Sequence, residues 1–177
     1  MRLMTVSGSL RAVSSNSAAL EALRLLAPPG VEVRPWRGLD SLPHFNPDLD
    51  TEAAPATPPA VAALRRAVGE CQALVISSPE YAHGVPGSLK NALDWLVSCA
   101  EFPGKPVLLI NTAPRSVHAQ AALAETLRTM SARLLEPGVT LDLSGRGLDG
   151  VGIAGDVELA GVLVGGVEAL MRVVRGD

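Results

Sequence analysis

The sequence predicts a doubly wound α/β fold, a parallel sheet with helices on both faces. Three observations carry this. Five short apolar runs alternate with five segments of helical periodicity, the pattern of strands joined by crossover helices. The third and fourth runs are almost continuously apolar, as strands buried on both faces are. The chain has 177 residues, 47% of them apolar, which suffices for one core and falls short of two, so residues 1–177 are expected to form a single domain.

Residues 3–7 form the first apolar run, ending at Gly8. Residues 14–26 place Ala18, Ala19, Ala22, Leu23 and Leu26 at helical spacing, and Pro28-Pro29-Gly30 stops them. Residues 31–36 alternate as an edge-like strand. Residues 37–59, dense in Pro and Asp, read as a surface excursion. Thr57-Pro58 is a helix start, with a side-chain cap expected from Thr57, and that helix runs to Gly69. The third strand is 73–77, followed by a helix over 87–97. A fourth strand over 107–110 leads to a long helix over 117–135, stopped by Pro137-Gly138. The fifth strand is placed at 139–143. A Gly-rich stretch, 145–155, precedes a last helix over 156–174. Gly161, Gly165 and Gly166 inside that helix each cost about 1 kcal/mol against Ala, so they imply either close packing or fraying.

The net charge of -3 and the scatter of basic residues argue against a nucleic-acid surface. Cys71 and Cys99 lack ligand spacing and read as free thiols of a reducing compartment, with no metal site. No apolar run is long enough to span a membrane, and the N-terminus lacks a signal-peptide pattern. A cytoplasmic protein is expected.

In such sheets ligands sit beyond the carboxyl ends of the strands, so chemistry is sought in the loops leaving strands one, three and four. The first loop, Ser7-Gly8-Ser9-Leu10-Arg11-Ala12-Val13-Ser14-Ser15-Asn16-Ser17, runs into a helix. A helix N-terminus presents unpaired N–H groups and partial positive charge, which suit a phosphate. The serines and Asn16 add donors, and Arg11 can grip two phosphate oxygens. It is neither a Walker A loop nor GxGxxG. The alternative is a plain serine-rich turn whose Ser14 or Ser15 caps the helix.

The loop after the third strand is Pro79-Glu80-Tyr81-Ala82-His83-Gly84-Val85-Pro86-Gly87. Its prolines and glycines suit a stiff, turned backbone that presents N–H and C=O groups to a flat heterocycle. Tyr81 can cover part of a ring face. Equally, Tyr81 could pack over the core edge and His83 be a solvated loop residue. Trp95, with Leu89, Ala92, Leu93 and Leu96, reads as core.

These two stretches, SGSLRAVSSN and PEYAHGVPGSLKNALDWL, resemble the NADPH-dependent FMN reductase family of quinone, chromate and azo-dye reductases. Gly8, Ser9, Leu10, Arg11, Ser14 and Asn16 match the family pattern after its first strand. Pro79, Glu80, Tyr81, Pro86, Gly87, Leu89, Lys90, Asn91, Ala92, Asp94 and Trp95 match the pattern after its third. The resemblance implies a flavodoxin-like five-stranded sheet of order 2-1-3-4-5, binding FMN and using NAD(P)H as co-substrate. It implies that Ser9, Arg11, Ser14, Ser15, Asn16 and Ser17 hold the FMN phosphate. Pro79, Glu80, Tyr81, Ala82, His83 and Gly84 would line the isoalloxazine ring, chiefly through backbone. Thr112 lies in the loop that closes on the pyrimidine end.

No side chain is catalytic in this reading, because the flavin carries the electrons, and Tyr81 and His83 stand nearest its reactive face. A small-molecule acceptor (quinone-like, azo or metal-oxyanion) and ping-pong turnover follow by the same resemblance, as does a homodimer or homotetramer. Two departures stand out. Ala82 replaces the usual Asn, and residues 111–120 lack the expected paired glycines, carrying Pro114, Arg115 and His118 instead. Lys90, Asn91 and Asp94 are explained as well by solvent and capping roles as by ligand contact. A flavodoxin-like electron carrier and a flavin-poor interaction or sensor protein remain as alternatives.

Overall fold

The computed structural model describes residues 1–51 and 57–176; residues 52–56 of the excursion, and Asp177, lie outside it. The elements in chain order are β1 (Arg2–Ser7), α1 (Ser15–Leu25), β2 (Glu32–Trp36), α2 (Pro59–Glu70), β3 (Ala73–Ser77), α3 (Gly87–Asp94) and β4 (Pro106–Asn111). There follow α4 (Val117–Thr129), β5 (Arg133–Leu134), β6 (Val139–Thr140), α5 (Gly150–Gly155) and α6 (Val157–Arg175). All strand pairs are parallel. The order is β2-β1-β3-β4, with β5 and β6 in turn along the outer edge of β4. The sheet thus has the predicted 2-1-3-4-5 order, its fifth position filled by two short pieces.

Successive residues of a strand point to opposite faces. Leu74 and Ile76 of β3 enter a core with Leu64 and Val68 of α2, Leu89 and Leu93 of α3, and Leu123 and Leu127 of α4. Ala73 and Val75 enter the other, with Leu23 of α1, Ile153 of α5, and Leu163 and Val167 of α6. Every residue of β3 is buried, which explains its unbroken apolar composition.

Four boundaries differ from expectation. The helix expected over 117–135 stops at Thr129, and Arg133–Leu134 turn into β5 beside Pro106 and Val107. Ser131 causes the break: its φ of 64° is left-handed, and Ala132 N–H bonds back to the Leu127 carbonyl. The last strand is shorter than 139–143. The helix expected to reach 97 ends at Asp94. Finally, α2 starts at Pro59 with no side-chain cap from Thr57.

The Gly-rich stretch hides α5, capped by Asp149, whose carboxylate accepts from Gly152 N at 2.8 Å. Gly150 lets it press on α1, since a Cβ there would lie 2.6 Å from Glu21 Cγ. Of the glycines in α6, Gly166 serves close packing, where a Cβ would come within 2.5 Å of Val139 Cγ2, whereas Gly161 and Gly165 face open space.

The excursion after β2 is clamped to α3. The Asn91 carboxamide accepts from Phe45 N at 2.7 Å and donates to Pro43 O at 2.9 Å, while Trp95 Nε1 donates to the same carbonyl at 2.9 Å. Trp95 is fully buried, as expected, and Phe45 packs edge-on against it with ring centroids 5.0 Å apart. Arg65 donates to Asp50 Oδ1 at 2.7 Å and to the Trp95 carbonyl. Burial works to raise the Asp50 carboxyl, but bonds from Ser98 and Arg65 outweigh it and hold the group below its usual range. The asparagine and tryptophan of the second motif therefore hold this loop. Both cysteines are buried and unpaired, and burial pushes both thiols up, which leaves them unreactive.

Candidate functional site: three loops at the carboxyl edge of the sheet

Gly8 brings the first loop against the third. Its N–H bonds to Ser77 O at 2.8 Å, and a Cβ there would lie 2.7 Å from Ser78 Oγ. Ser14 is the cap of α1, accepting from Ser17 N at 3.4 Å. Ser9 Oγ accepts from Arg11 N at 3.3 Å, and the Ser7 and Ser17 hydroxyls stand 3.0 Å apart. Asn16 is buried, and its Oδ1 accepts from Ser77 Oγ at 2.9 Å and from Thr112 Oγ1 at 3.3 Å. Thr112 also meets Ser15 Oγ at 3.2 Å. Thus Ser15, Asn16, Ser77 and Thr112 weld the ends of β3 and β4 to the first turn of α1.

What this network leaves over is backbone. Among the described residues, the N–H groups of Leu10, Ala12, Val13, Ser14, Ser15 and Asn16 meet no acceptor. The Arg11 side chain is exposed and forms no ion pair among them. A run of free amides at the positive end of a helix, beside a free guanidinium, is a donor set for an anion such as a phosphate ester.

The loop after β3 is stiffened instead. Tyr81 and Gly84 exchange both backbone bonds, at 3.2 and 2.9 Å, around Ala82 and His83, whose φ angles of 48° and 60° are both left-handed. That is a tight turn of the type favouring Asn-Gly, and it strains an alanine and a histidine. Contacts to α4 hold it. Glu80 Oε2 accepts from Ala119 N at 2.8 Å, Gln120 Nε2 donates to Ser78 O at 3.2 Å, and the His83 ring stacks on His118 at 4.4 Å and 22°. Glu80 thereby caps the first turn of α4. Tyr81 remains 50% exposed, so it covers no core edge and offers a free ring face.

The loop after β4 is turned by its own bonds, Asn111 Oδ1 accepting from Ala113 N at 3.0 Å and Ser116 N donating to Ala113 O at 2.8 Å. The structure therefore gathers Ser9, Arg11, Ser14, Ser15, Asn16, Ser17 and Thr112 around the start of α1. Pro79, Glu80, Tyr81, Ala82, His83 and Gly84 form the adjoining hairpin against α4. Sequence reasoning missed Ser77, Ser78 and Gln120; the two hydroxyls closing an otherwise apolar strand were the available signal. Lys90 pairs with Asp94 at 2.6 Å on the surface of α3.

Residues 1–141 match the model of the NADPH-dependent FMN reductase family. The chain belongs to this family. An NAD(P)H-dependent FMN reductase of Pseudomonas aeruginosa is 35% identical over 132 residues, covering 72% of this chain and 69% of that one. A quinone reductase of Escherichia coli is 38% identical over 112 residues, 62% of this chain and 58% of its own length. Among solved structures, FerB of Paracoccus denitrificans, a flavoenzyme NAD(P)H:acceptor oxidoreductase, superposes with a TM-score of 0.80 at 26% identity, over 99% of this chain and 97% of that one. These FMN reductase relatives and the flavodoxin-like sheet agree with the two motifs that carried the resemblance.

Proposed function

We propose that this chain is a single flavodoxin-like domain that works as an FMN-dependent NAD(P)H oxidoreductase reducing a small-molecule acceptor. FMN and NAD(P)H are the cofactor and co-substrate of the family to which it belongs, and the donor set at α1 fits the flavin's phosphate. The observation that carries the proposal is the run of acceptor-less amides at that helix start, joined to a stiff hairpin one strand away.

Bound flavin would supply the two-electron chemistry between NAD(P)H and the acceptor. The protein binds, orients and shields. Arg11 and the amides of residues 12–16 neutralise the phosphate. Ser9, Ser14, Ser15 and Ser17 contribute hydroxyls, while Asn16 and Thr112 act by fixing the loop. Residues 79–84 present backbone groups to the ring edge, and because Glu80 is anchored to α4 that edge is set before the ring arrives. Tyr81 covers a face and excludes water there.

Quinone-like acceptors fit the exposed Tyr81 ring. His118 stacks on His83 beside it, and Arg115, exposed in the loop after β4, is the charge that would favour acceptors carrying negative charge, metal oxyanions among them. A homodimer or homotetramer belongs to the same reading, as the family resemblance implies.

The test is a visible spectrum of the purified protein, followed by NADPH without oxygen. A flavin band that bleaches, and returns when a quinone is added, is expected. Protein that stays colourless in excess FMN would sink the proposal, while a band that NADPH leaves unchanged would turn it to the electron-carrier reading.

A further inference from the structure

A concavity opens beside the first loop, whose Ser9, Arg11, Ser14, Ser15 and Ser17 form part of its wall. It holds about 720 Å³ and runs from residues 9–18 to residues 35–40 after β2 and residues 147–150 before α5. Tyr81, His83 and Thr112 do not line it, so the flavin ring placed above lies elsewhere. Its volume is that of a site for a molecule of nucleotide size and far exceeds one phosphate group.

The lining has two parts. Trp36, Leu39 and Leu148 give flat apolar wall, and the Trp36 ring lies so close over Gly38 that a Cβ there would be 2.6 Å from its Cζ2. Arg11, Arg37, Glu21, Asp40 and Asp149 give the charges. Two of these are engaged. Glu21 is bound by Arg24 at 2.7 Å, and Asp149 caps α5 at 2.8 Å. The Arg24 bond, with smaller help from the charges of Arg24 and Arg37, keeps the Glu21 carboxyl below its ordinary range. Arg11, Arg37 and Asp40 have no ion partner among the described residues.

Position supplies the chemistry. β1 and β2 are adjacent and parallel, and the cleft lies off their carboxyl ends. In α/β sheets that seat a dinucleotide's phosphates at the first helix, the residues ending the second strand reach the adenosine ribose. An acidic group there takes a hydroxyl, and an arginine accommodates a 2′-phosphate. Arg37 and Asp40 follow β2 within four residues of its end. We propose that this cleft takes the adenosine-phosphate half of a dinucleotide, with Trp36 and Leu148 against the base, Asp40 on a ribose hydroxyl and Arg37 on phosphate. The proposal rests on the reading above in sharing the first loop, whose Ser9, Arg11, Ser14, Ser15 and Ser17 also line the cleft; the residues peculiar to it are Trp36, Arg37, Asp40 and Leu148, and its readout is separate.

The experiment follows Trp36 fluorescence, which reports on the cleft because the chain's other tryptophan, Trp95, is fully buried. Protein with and without saturating FMN is titrated with 2′,5′-ADP, 5′-ADP and FAD, and Trp36→Phe identifies the signal. Quenching by the adenosine phosphates is expected in both forms. Binding of 2′,5′-ADP about tenfold tighter than 5′-ADP, lost in Arg37→Ala with FMN affinity unchanged, assigns the cleft to NADPH. Retention of FAD over FMN, weakened about tenfold in Asp40→Asn, assigns it to a flavin dinucleotide. Absence of quenching at millimolar ligand, or complete displacement by FMN with no effect of either variant, overturns the site. Flavin binding, read from the flavin's own absorbance, stands or falls independently.

Discussion

The loop after β1 and the loop after β3 are both polar, yet they use their polarity in opposite ways. The third-strand loop engages its neighbours, Glu80 bonding to α4 and His83 stacking on His118 while its backbone closes a turn, and leaves the Tyr81 ring exposed. The first-strand loop binds itself through hydroxyls and Asn16 but leaves six amides and Arg11 uncommitted. One loop is a finished surface and the other an open set of donors. A rigid edge beside an unsatisfied anion seat is the arrangement that, in the proposed function, would orient a long amphiphilic cofactor with little rearrangement of the protein.

The sharpest way to break this contrast is Arg11→Ala. Loss of a charge-assisted contact worth about 1.5–3 kcal/mol should weaken FMN binding roughly 10- to 100-fold, with the urea midpoint unchanged. Flavin content that survives dialysis would remove Arg11 from the seat. Asn16→Ala should behave differently, because it deprives the buried Thr112 and Ser77 hydroxyls of an acceptor. A stability loss of about 2 kcal/mol, measured by urea unfolding, is expected. If flavin affinity fell while stability held, Asn16 would be a ligand contact and no part of the weld.

Smaller effects probe the hairpin. Glu80→Ala removes the cap of α4 and should cost about 1 kcal/mol in thermal or urea unfolding, and by loosening the preset edge should weaken FMN binding by less than the Arg11 change does, roughly threefold to fivefold. Ala82→Gly should be mildly stabilising, by roughly 0.5 kcal/mol, since the strain of a left-handed alanine exceeds the entropy cost of glycine. A destabilised Ala82→Gly protein would mean that the turn relies on the methyl group for packing.

Much of this was readable in the residues, and the misses are specific. The continuous apolar runs at β3 and β4 and the alternating helices sufficed for a doubly wound parallel sheet, whereas its strand order came from the family resemblance. The C-terminal boundaries were missed because Leu134 and Leu135 continue the helical spacing past Ser131, a residue that gives no warning of a left-handed φ. The short α5 escaped because glycine argues against a helix, although Gly150 is there to let two helices touch. At the site, the residues singled out in the sequence do gather at one edge of the sheet, but the sequence did not tell which of them the fold itself engages. Asn16, Glu80 and Asn91 have the chemistry of ligand contacts and are engaged by the protein itself. Only tertiary partners reveal that, as they alone reveal a cleft assembled from three separate segments.

The interrupted outer strand has a consequence for self-association. Beyond β4 the sheet ends in two-residue pieces, and at the opposite margin β2 carries Pro35, which has no N–H to give, together with the charges of Glu32 and Arg34. Neither flank offers a continuous rail on which another molecule's extended segment could zip. Copies of this protein that come together must therefore meet through side-chain surfaces, and crowding them should yield discrete particles in preference to fibres.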